Sequence, residues 1–349
     1  MTQAFRFPAE WEPQSAILLA WPHACTDWAE RLGEVEETCI ALVAAIALRE
    51  RVLLCVADDD IEAYARARLS SARIDMSQVA FASVPYDDTW LRDSGPITLA
   101  ADDAFRLLDF RFTAWGGKFE AAEDDRVVER LHAAGIFLKS DRQAIDFALE
   151  GGAIDTDGTG TLLTTWQCLH ERHPGSSREE LTGKLAGWLR QDRVLWLEHG
   201  FLEGDDTDAH IDTLARFAAP DAIVFQACDD PEDSHYFELR AMGDEIAALR
   251  TRDGEPYRLF PLPWPRPVLD TDSSGRERRL AASYANFLIV NGAVLMPAYG
   301  DPADGLAAGV LAQAFPDREI VPIPCRPLIW QNGSLHCLTM QLPRGIIAA

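Results

Sequence analysis

The sequence predicts an α/β fold in which one unit, two strands followed by a helix and a third strand (ββαβ), occurs about five times. The hairpins that open such units begin near residues 97, 153, 211 and 284. The first unit lacks one hairpin strand, while the segment 335–341 is a predicted strand without a unit of its own. We therefore expect segment 335–341 to pair with the strand at 16–21 and to close a pseudosymmetric ring around a central pocket.

Units one and two are predicted from apolar periodicity. Residues 16–21 form an apolar run that ends at Pro22, and apolar residues at helical spacing follow. In unit two, apolar and polar residues alternate from Phe105 to Phe110, which is typical of a half-buried strand. The predicted strands are 16–21, 52–56, 79–84, 97–99, 105–110 and 136–138, and the predicted helices are 33–51, 59–70 and 124–134.

Turn and capping signals mark units three to five. Unit three contains a glycine-rich turn at 157–160, and Ser177 stands three residues before Glu180, the signature of a capping box that begins a helix. In unit five, Asn291-Gly292 is a strong two-residue hairpin signal. The predicted strands are 152–155, 161–164, 194–197, 211–217, 222–226, 257–262, 284–290, 293–296 and 320–323, with helices from Ser177 and near 234–249 and 305–315.

The composition is that of a globular protein with a large core. The chain has 349 residues, of which 48% are hydrophobic and 25% are charged. Length alone suggests two domains, but no low-complexity linker divides the sequence. We therefore predict a single catalytic domain over residues 1–349.

The charge balance is strongly acidic. The chain has 32 Lys and Arg residues against 56 Asp and Glu residues, a net charge of −24. This balance disfavours nucleic acid and anionic membranes as partners, because both bind basic surfaces. It favours a small cationic substrate, although a solvated acidic surface without any partner would have the same composition.

The cysteines indicate a reducing compartment. Their number is seven, which is odd, and no CxxC pair occurs, so they form neither a disulfide framework nor a zinc ribbon. Residues 1–10 contain no apolar signal segment, and no apolar run approaches the ~18 residues of a membrane span. We therefore expect a cytoplasmic protein, in which a free thiol can serve as a nucleophile.

Polar residues recur where the chain enters the predicted hairpins. Segment 87–96 precedes unit two, Glu150 and two glycines precede unit three, and segment 205–212 opens unit four. Closing the ring would bring Cys337 beside them, because equivalent positions of a pseudosymmetric ring converge at one end of its axis. We therefore predict that these residues meet in one site.

Each of these residues also has an alternative interpretation. Asp93 could stabilise a turn, Glu150 could be an exposed loop residue, and Cys337 could be part of the core. His210 and Asp212 are two apart on a predicted strand and would share a face, but they are a weak zinc signal without a third Cys or His ligand. Their common position at hairpin starts favours the functional interpretation.

Several carboxylates around one pocket predict a delocalised cation as the ligand. A guanidinium is planar and always charged, and its N–H groups match carboxylates in pairs. A thiolate can attack the central carbon of a guanidinium. A histidine can then protonate the departing amine and later activate water.

The motifs resemble agmatine deiminases, which are grouped with bacterial peptidylarginine deiminases in the guanidino-group-modifying (pentein) superfamily. The similarity runs from about residue 7 to residue 343 and implies a five-bladed α/β propeller of ββαβ units. It implies no metal or organic cofactor. The segments that carry it are Phe7–Pro13, Asp88–Pro96, Glu150–Gly152, His210–Asp212, Asn286 with Asn291-Gly292, and Leu335–Gln341.

The resemblance also assigns roles to individual residues. It implies a covalent thiouronium intermediate on the cysteine and a histidine acid/base oriented by a glutamate. An aspartate pair would grip the guanidinium while further residues contact the substrate. The implied catalytic residues are Cys337, His210, Glu150, Asp93 and Asp212, and the implied substrate-binding residues are Trp90, Asp88 and Asn286.

The sequence alone does not identify the substrate. Ala209, Trp166 and Ser334 stand where the agmatine deiminase pattern differs, and Cys168 and His170 are interpreted as structural. Agmatine is the first expectation. The alternatives are deimination of peptidyl-arginine or another guanidino compound, an amidinotransferase on the same site, and a non-enzymatic acidic binding protein. A homodimer is a further expectation.

Overall fold

Five β-sheets that share one strand order form the body of the protein. In four of them, the first two strands are antiparallel, and the third strand follows a helix and runs parallel to the second. In the sheet of unit one, the antiparallel partner comes from the C-terminal part of the chain. The structure is a computed structural model that describes residues 4–271 and 275–348. The predicted ββαβ repeat is thus present as a mixed α/β fold.

Unit one consists of three parallel strands and two connecting helices. Apolar residues fill its strands because both faces are covered, and every residue of Leu18–Ala20 is buried. The element bounds are β1 (Gln14–Ala20), α1 (Leu32–Ala47), β2 (Arg51–Val56), α2 (Asp59–Ser71) and β3 (Val79–Ser83).

Units two and three follow the common order. Ser177 caps the helix of unit three through the predicted capping box with Glu180. The bounds in unit two are α3 (Leu91–Ser94), β4 (Ile97–Ala100), β5 (Phe105–Arg111), α4 (Ala114–Gly117), α5 (Val127–Ala133) and β6 (Ser140–Ala148). Those in unit three are β7 (Ile154–Thr156), β8 (Thr161–Thr165), α6 (Trp166–Arg172), α7 (Arg178–Leu189) and β9 (Arg193–Leu197).

Units four and five are separated by a short hairpin that the sequence did not predict. Val290 pairs with Ala293 across the predicted two-residue turn of unit five. The bounds are β10 (Ala215–Ala219), β11 (Ala222–Gln226), α8 (Tyr236–Ala248) and β12 (Arg258–Leu262), then the hairpin β13 (Leu269–Thr271) and β14 (Glu277–Arg279), then β15 (Leu288–Val290), β16 (Ala293–Ala298), α9 (Asp304–Ala314), β17 (Glu319–Pro324) and finally β18 (Met340–Pro343).

The last strand joins the first sheet. β18 pairs antiparallel with β1, with Leu18 opposite Met340, so this sheet has the order β18-β1-β2-β3. The predicted pairing between the C-terminal segment and the strand at 16–21 is therefore confirmed. Apolar contacts also link neighbouring units, for example Phe110 of β5 with Trp188 of α7 at 5.8 Å between ring centroids.

Three local predictions were wrong. The third strand of unit two is β6 and not 136–138, because Phe137 is a buried residue in the turn that leads into β6. Cys337 lies in a turn before β18 and not within a strand, since Thr339 N–H already bonds the His336 carbonyl. His210 precedes a short 3-10 turn, Ile211–Thr213, and Asp212 lies within it, so neither residue is in a strand.

No helix within the described ranges combines the length and the apolar character that a membrane span requires.

Candidate active site

A deep cleft of about 1390 Å³, its open mouth included, leads down to Cys337. Cys337 and Asp93 are 4% and 5% exposed and lie at the inner end of this cleft. We use the term cleft base for these two residues and the three buried residues packed against them, Glu150, His210 and Asp212. The structure thus brings together all five residues that the sequence analysis selected as catalytic.

Cys337 is held between a carboxylate and an amide. Its Sγ lies 3.2 Å from Asn286 Nδ2 and 3.6 Å from Asp212 Oδ2. Asn286 Oδ1 also accepts the backbone N–H of His336 at 3.0 Å, which fixes the turn that carries the thiol. Burial raises the pKa of the Cys337 thiol well above its usual range, and the charges of Asp212 and Asp93 raise it further.

Asp93 is fixed by two donors. Its Oδ1 accepts the backbone N–H of Gly152 at 2.9 Å, and its Oδ2 accepts the indole N–H of Trp115 at 2.9 Å. Burial raises the pKa of Asp93 to about 6, against the opposing effect of His210. At neutral pH this carboxylate is therefore largely ionised.

Gly152 is required by the close approach of the other groups. A Cβ at this position would lie 2.6 Å from His210 Nδ1 and 2.8 Å from Asp93 Oδ1. Those separations are shorter than real Cβ contacts, so only glycine lets the histidine and the carboxylate converge. This explains why Glu150 is followed by glycine in the motif that marks unit three.

His210 lies between two carboxylates. Its Nδ1 is 3.7 Å from Asp93 Oδ1 and its Nε2 is 3.7 Å from Glu150 Oε2. Burial opposes the charged ring, but Asp93, Cys168 and Glu150 together outweigh it, and the pKa of His210 is raised well above its usual range. The imidazole is therefore available as a proton donor.

Glu150 is kept ionised by cationic neighbours. The Arg172 Nε donates to its Oε1 at 2.7 Å, and both side chains are 1% exposed. Burial would raise the pKa of Glu150, but the nearby His210 ring and the bonded Arg172 guanidinium together outweigh it and the pKa is lowered. Cys168, interpreted as structural from sequence, completes a buried Glu150–Cys168–His210 group whose donor atoms lie within 4.8 Å of one another and could hold a metal ion.

Asp212 combines a bonded and a free oxygen. Its Oδ2 lies 2.8 Å from His336 Nδ1, while its Oδ1 has no hydrogen-bond partner among the described residues. The side chain is fully buried, yet its pKa is lowered, because the His336 bond and nearby positive charges outweigh the cost of burial. A buried, ionised and unpaired acceptor beside a thiol is a ready site for a cationic N–H donor.

The walls of the cleft are acidic. Arg278 is the one basic side chain among the described residues that line it. Burial raises the pKa of Asp88 to about 7 and that of Asp124 to about 7; the charge of Asp124 raises that of Asp88 further, and the charge of Asp87 raises that of Asp124 further. We use the term cleft wall for the six acidic lining residues outside the base: Asp27, Asp87, Asp88, Glu120, Asp124 and Asp206.

Two of the three predicted substrate-binding residues line the cleft and the third does not. Trp90 and Asp88 both line the cleft. The ring of Trp90 covers Gly333, where a Cβ would lie 2.3 Å from the indole, so the turn before Cys337 needs glycine there. Asn286 does not line the cleft and supports Cys337 from behind.

Sequence reasoning missed a buried ionic layer behind Asp212. It consists of Glu10, Arg92, Arg216 and His336, all 4% exposed or less. Arg92 donates to Gln341 and to the His336 carbonyl, so it does not lie at the cleft mouth. Two signals pointed to this layer: Glu10 lies in the Phe7–Pro13 motif, and His336 precedes the cysteine.

The family model of the Porphyromonas-type peptidyl-arginine deiminases matches residues 6–343. An agmatine deiminase of Stutzerimonas stutzeri strain A1501 is 34% identical over 98% of this chain and 96% of its own length. A C. jejuni agmatine deiminase with substrate bound, a Cys-to-Ser variant, is 33% identical, covers 99% of this chain and 98% of its own, and superposes with a TM-score of 0.88.

A Porphyromonas gingivalis protein described as a candidate arginine deiminase is 44% identical, covers 99% of this chain and 100% of its own, and has a TM-score of 0.88. These matches confirm the resemblance that the motifs indicate. By sequence and by structure, the chain belongs to the Porphyromonas-type peptidyl-arginine deiminase family.

Proposed function

We propose that this protein is a hydrolase that converts agmatine and water to N-carbamoylputrescine and ammonia. The observation that carries the proposal is the cleft base, where the Cys337 thiol lies 3.6 Å from the buried carboxylate of Asp212. The free Oδ1 of that carboxylate provides an acceptor for a guanidinium N–H. The agmatine deiminases among its relatives support the same reaction.

The guanidinium binds between Asp93 and Asp212 with its central carbon over the Cys337 sulfur. Both carboxylates raise the pKa of the thiol in the free protein, so neutralising them with a cation removes that effect. Substrate binding therefore promotes formation of the thiolate that attacks.

His210 carries the proton steps. The thiolate adds to the guanidinium carbon, a C–N bond breaks, and ammonia leaves with a proton from His210, which leaves a thiouronium on Cys337. Water then adds to the same carbon and gives one proton to His210. The C–S bond breaks as the hydroxyl proton of the adduct passes to the departing sulfur, which releases the ureido product and the Cys337 thiol. Glu150, held by Arg172, keeps the imidazole oriented and supports its charged form.

The cleft wall favours a substrate with a second positive charge. Its six carboxylates lie between the base and the solvent, where the ammonium end of agmatine would lie, and Trp90 lines the path of the alkyl chain. An α-carboxylate, present in arginine but absent from agmatine, would meet repulsion there.

Arginine or a C-terminal arginyl peptide is the second candidate. It is favoured by the 44% identity to the P. gingivalis protein and by Arg278, which lines the cleft and bonds the Trp330 carbonyl at 2.5 Å. Arg278 is the group that could receive an α-carboxylate. Arg278→Gln should lower activity towards arginine but not towards agmatine.

A substrate panel tests the proposal. Purified protein is incubated with agmatine, arginine and arginyl peptides, and the ureido product and ammonia are measured in parallel. We expect the highest kcat/KM for agmatine. Absence of product from every compound, together with no labelling of Cys337 by a haloacetamidine, would favour a non-enzymatic acidic binding protein, whereas transfer of the amidino group to an added amine would indicate an amidinotransferase.

We further infer that the five sheets are the blades of one five-bladed propeller and that the chain is a single catalytic domain. The β1–β18 pairing and the contributions of several units to one cleft support this arrangement.

We infer a cytoplasmic enzyme of polyamine metabolism, which agrees with its seven free cysteines. We also infer that the enzyme is a homodimer. Size-exclusion chromatography with light scattering tests the oligomeric state.

A further inference from the structure

We propose that His336 is a positioning residue, a doubly protonated imidazolium clamped between Asp212 and Glu10 that fixes the guanidinium-binding carboxylate and places a positive charge behind Cys337. This inference deepens the proposed function and rests on it. It concerns the layer behind the cleft base, which has no contact with the cleft itself.

The ring of His336 contacts one carboxylate at each nitrogen. Nδ1 lies 2.8 Å from Asp212 Oδ2, and Nε2 lies 2.8 Å from Glu10 Oε2. All three side chains are 4% exposed or less. A histidine in this geometry bridges two buried acids that are 202 positions apart in sequence (212 − 10).

The number of protons on the His336 ring follows from the hydrogen-bonding capacity of its two carboxylate partners. An ionised carboxylate only accepts hydrogen bonds, so each ring nitrogen that bonds one must carry a proton. Glu10 Oε2 also accepts from Arg216 at 2.7 Å and lies 3.7 Å from Arg92, and these two guanidinium groups favour the ionised form of Glu10 independently of His336. The charges of His210 and Arg216 likewise favour the ionised form of Asp212. With both acids ionised, His336 donates at both nitrogens.

The charges of the surrounding layer agree with this state. Arg216 lies 2.7 Å from Glu10 and 3.4 Å from Asp155, and Arg92 lies 3.7 Å from Glu10. Three carboxylates, those of Glu10, Asp155 and Asp212, thus face two guanidinium groups. The second proton on His336 balances the remaining negative charge, as burial of charges requires.

His235 provides an internal contrast. Its Nδ1 lies 2.7 Å from Asp233, but its Nε2 accepts the backbone N–H of Glu203 at 2.7 Å. A nitrogen that accepts cannot carry a proton, so this ring holds one proton only. The two histidines are equally buried and differ in the partner at Nε2 alone.

The positioning role follows from how His336 is anchored. Its backbone N–H donates to Asn286, its carbonyl accepts from Arg92 Nε at 3.3 Å, and the next residue is Cys337. His336 thereby fixes the position of the Asp212 oxygen that approaches the thiol and also the position of the turn that carries the thiol. The imidazolium charge also favours the thiolate form of Cys337 over the thiol.

Nitrogen-15 spectra of histidine-labelled full-length protein test the protonation state directly. We expect two ring protons on His336 and one on His235 at pH 7.5, with His336→Asn and His235→Asn assigning the signals. A single proton on His336 would overturn the inference. This measurement needs no substrate, so it remains decisive even if the wild-type protein deiminates no guanidino compound, which would refute the proposed function alone.

Alkylation of Cys337 by a haloacetamidine across pH tests the positioning role. His336→Asn should move the alkylation midpoint to higher pH and lower kcat/KM by about 10²-fold, the loss expected from a misplaced reacting group. Glu10→Gln, which lets the ring keep one proton, should give a smaller shift in the same direction. His235→Asn is the matched control, and an alkylation profile as unchanged in His336→Asn as in His235→Asn would overturn the role.

Discussion

The cleft base and the cleft wall are both rich in carboxylates, yet the charges of two base acids and two wall acids are controlled in opposite ways. At the base, His336 and Arg172 contact Asp212 and Glu150, and the pKa values of both acids are lowered, whereas Asp93, which neither of these cations contacts, has a pKa raised to about 6. In the wall, Asp88 and Asp124 form no ion pair with a cation of the described part of the chain, and their pKa values rise to about 7. Burial alone does not set the charge of an acid in this protein; the position of its cationic partner does.

The largest difference should appear between the two cysteines that line the cleft. Cys337 lies at the base, whereas Cys25 is exposed on the wall side. Cys337→Ala should lower kcat by roughly 10⁴-fold or more, because no other group can form the covalent intermediate. The kcat of Cys25→Ala should stay within about twofold of the wild-type value. Steady-state ureido formation measures both, and substantial turnover by Cys337→Ala would refute covalent catalysis.

Neutralising one acid from each region should separate their roles. Asp212→Asn leaves the guanidinium without a buried counter-charge, and kcat/KM should fall by about 10²- to 10³-fold. Asp88→Asn removes a screened wall charge and should raise KM less than about fivefold. Equal losses in the two variants would show that base and wall do not differ in function.

The wall should also make stability depend on pH. A carboxyl group whose pKa is raised in the folded protein stabilises that state at pH values below its pKa in the unfolded chain, near 3.8. This contribution is lost as the pH rises to the folded-state pKa of about 7. Asp124→Asn, whose amide oxygen can still accept from the Asp87 backbone, should therefore gain stability relative to wild type from pH 5 to pH 8, by on the order of 2 kcal/mol.

Denaturant titrations at the two pH values measure that gain. Asp221→Asn serves as a control, because Arg258 bonds Asp221 at 2.9 Å and holds its pKa below the usual value. For Asp221→Asn, the difference in free energy of unfolding from wild type should be the same at pH 5 and at pH 8. The same result for Asp124→Asn would contradict the raised pKa of the wall.

The smallest effect concerns the backbone that carries His210. Ala209 has φ +69, a left-handed conformation that costs a side-chain-bearing residue about 1–2 kcal/mol, and it stands where the agmatine deiminase pattern has glycine. Ala209→Gly should raise the free energy of unfolding by ~0.5 kcal/mol after the entropy cost of glycine. Ala63→Gly, in the exposed part of α2, should lower it by about 1 kcal/mol.

Much of the fold could be predicted because its signals are local. Turn residues such as Asn291-Gly292 and the cap at Ser177 lie within the elements that they delimit, and repetition of the unit then indicated where the last strand pairs. The third strand of unit two was misplaced because Phe137 has strand-like character but packs as a core residue in a turn. Local composition does not separate those two cases.

The candidate site could be predicted as a set of residues but not as a geometry. Recurrence at hairpin starts and the resemblance selected Asp93, Glu150, His210, Asp212 and Cys337 correctly as neighbours. The backbone at Cys337 and His210 was mistaken for strand, since both segments alternate like strands. The Glu10–His336 contact spans 326 residues, and no local pattern reports such a pairing.

The pairing of β18 with β1 joins segments that are more than 300 residues apart in sequence. Gly345 also bonds Ser15 across 330 residues, and contacts of such high sequence separation slow folding. During synthesis, β1 and Glu10 cannot meet Cys337 until the more than 300 residues between them have been made. A chain that stops before residue 337 lacks the proposed nucleophile, so deiminase activity would report that these distant segments have met.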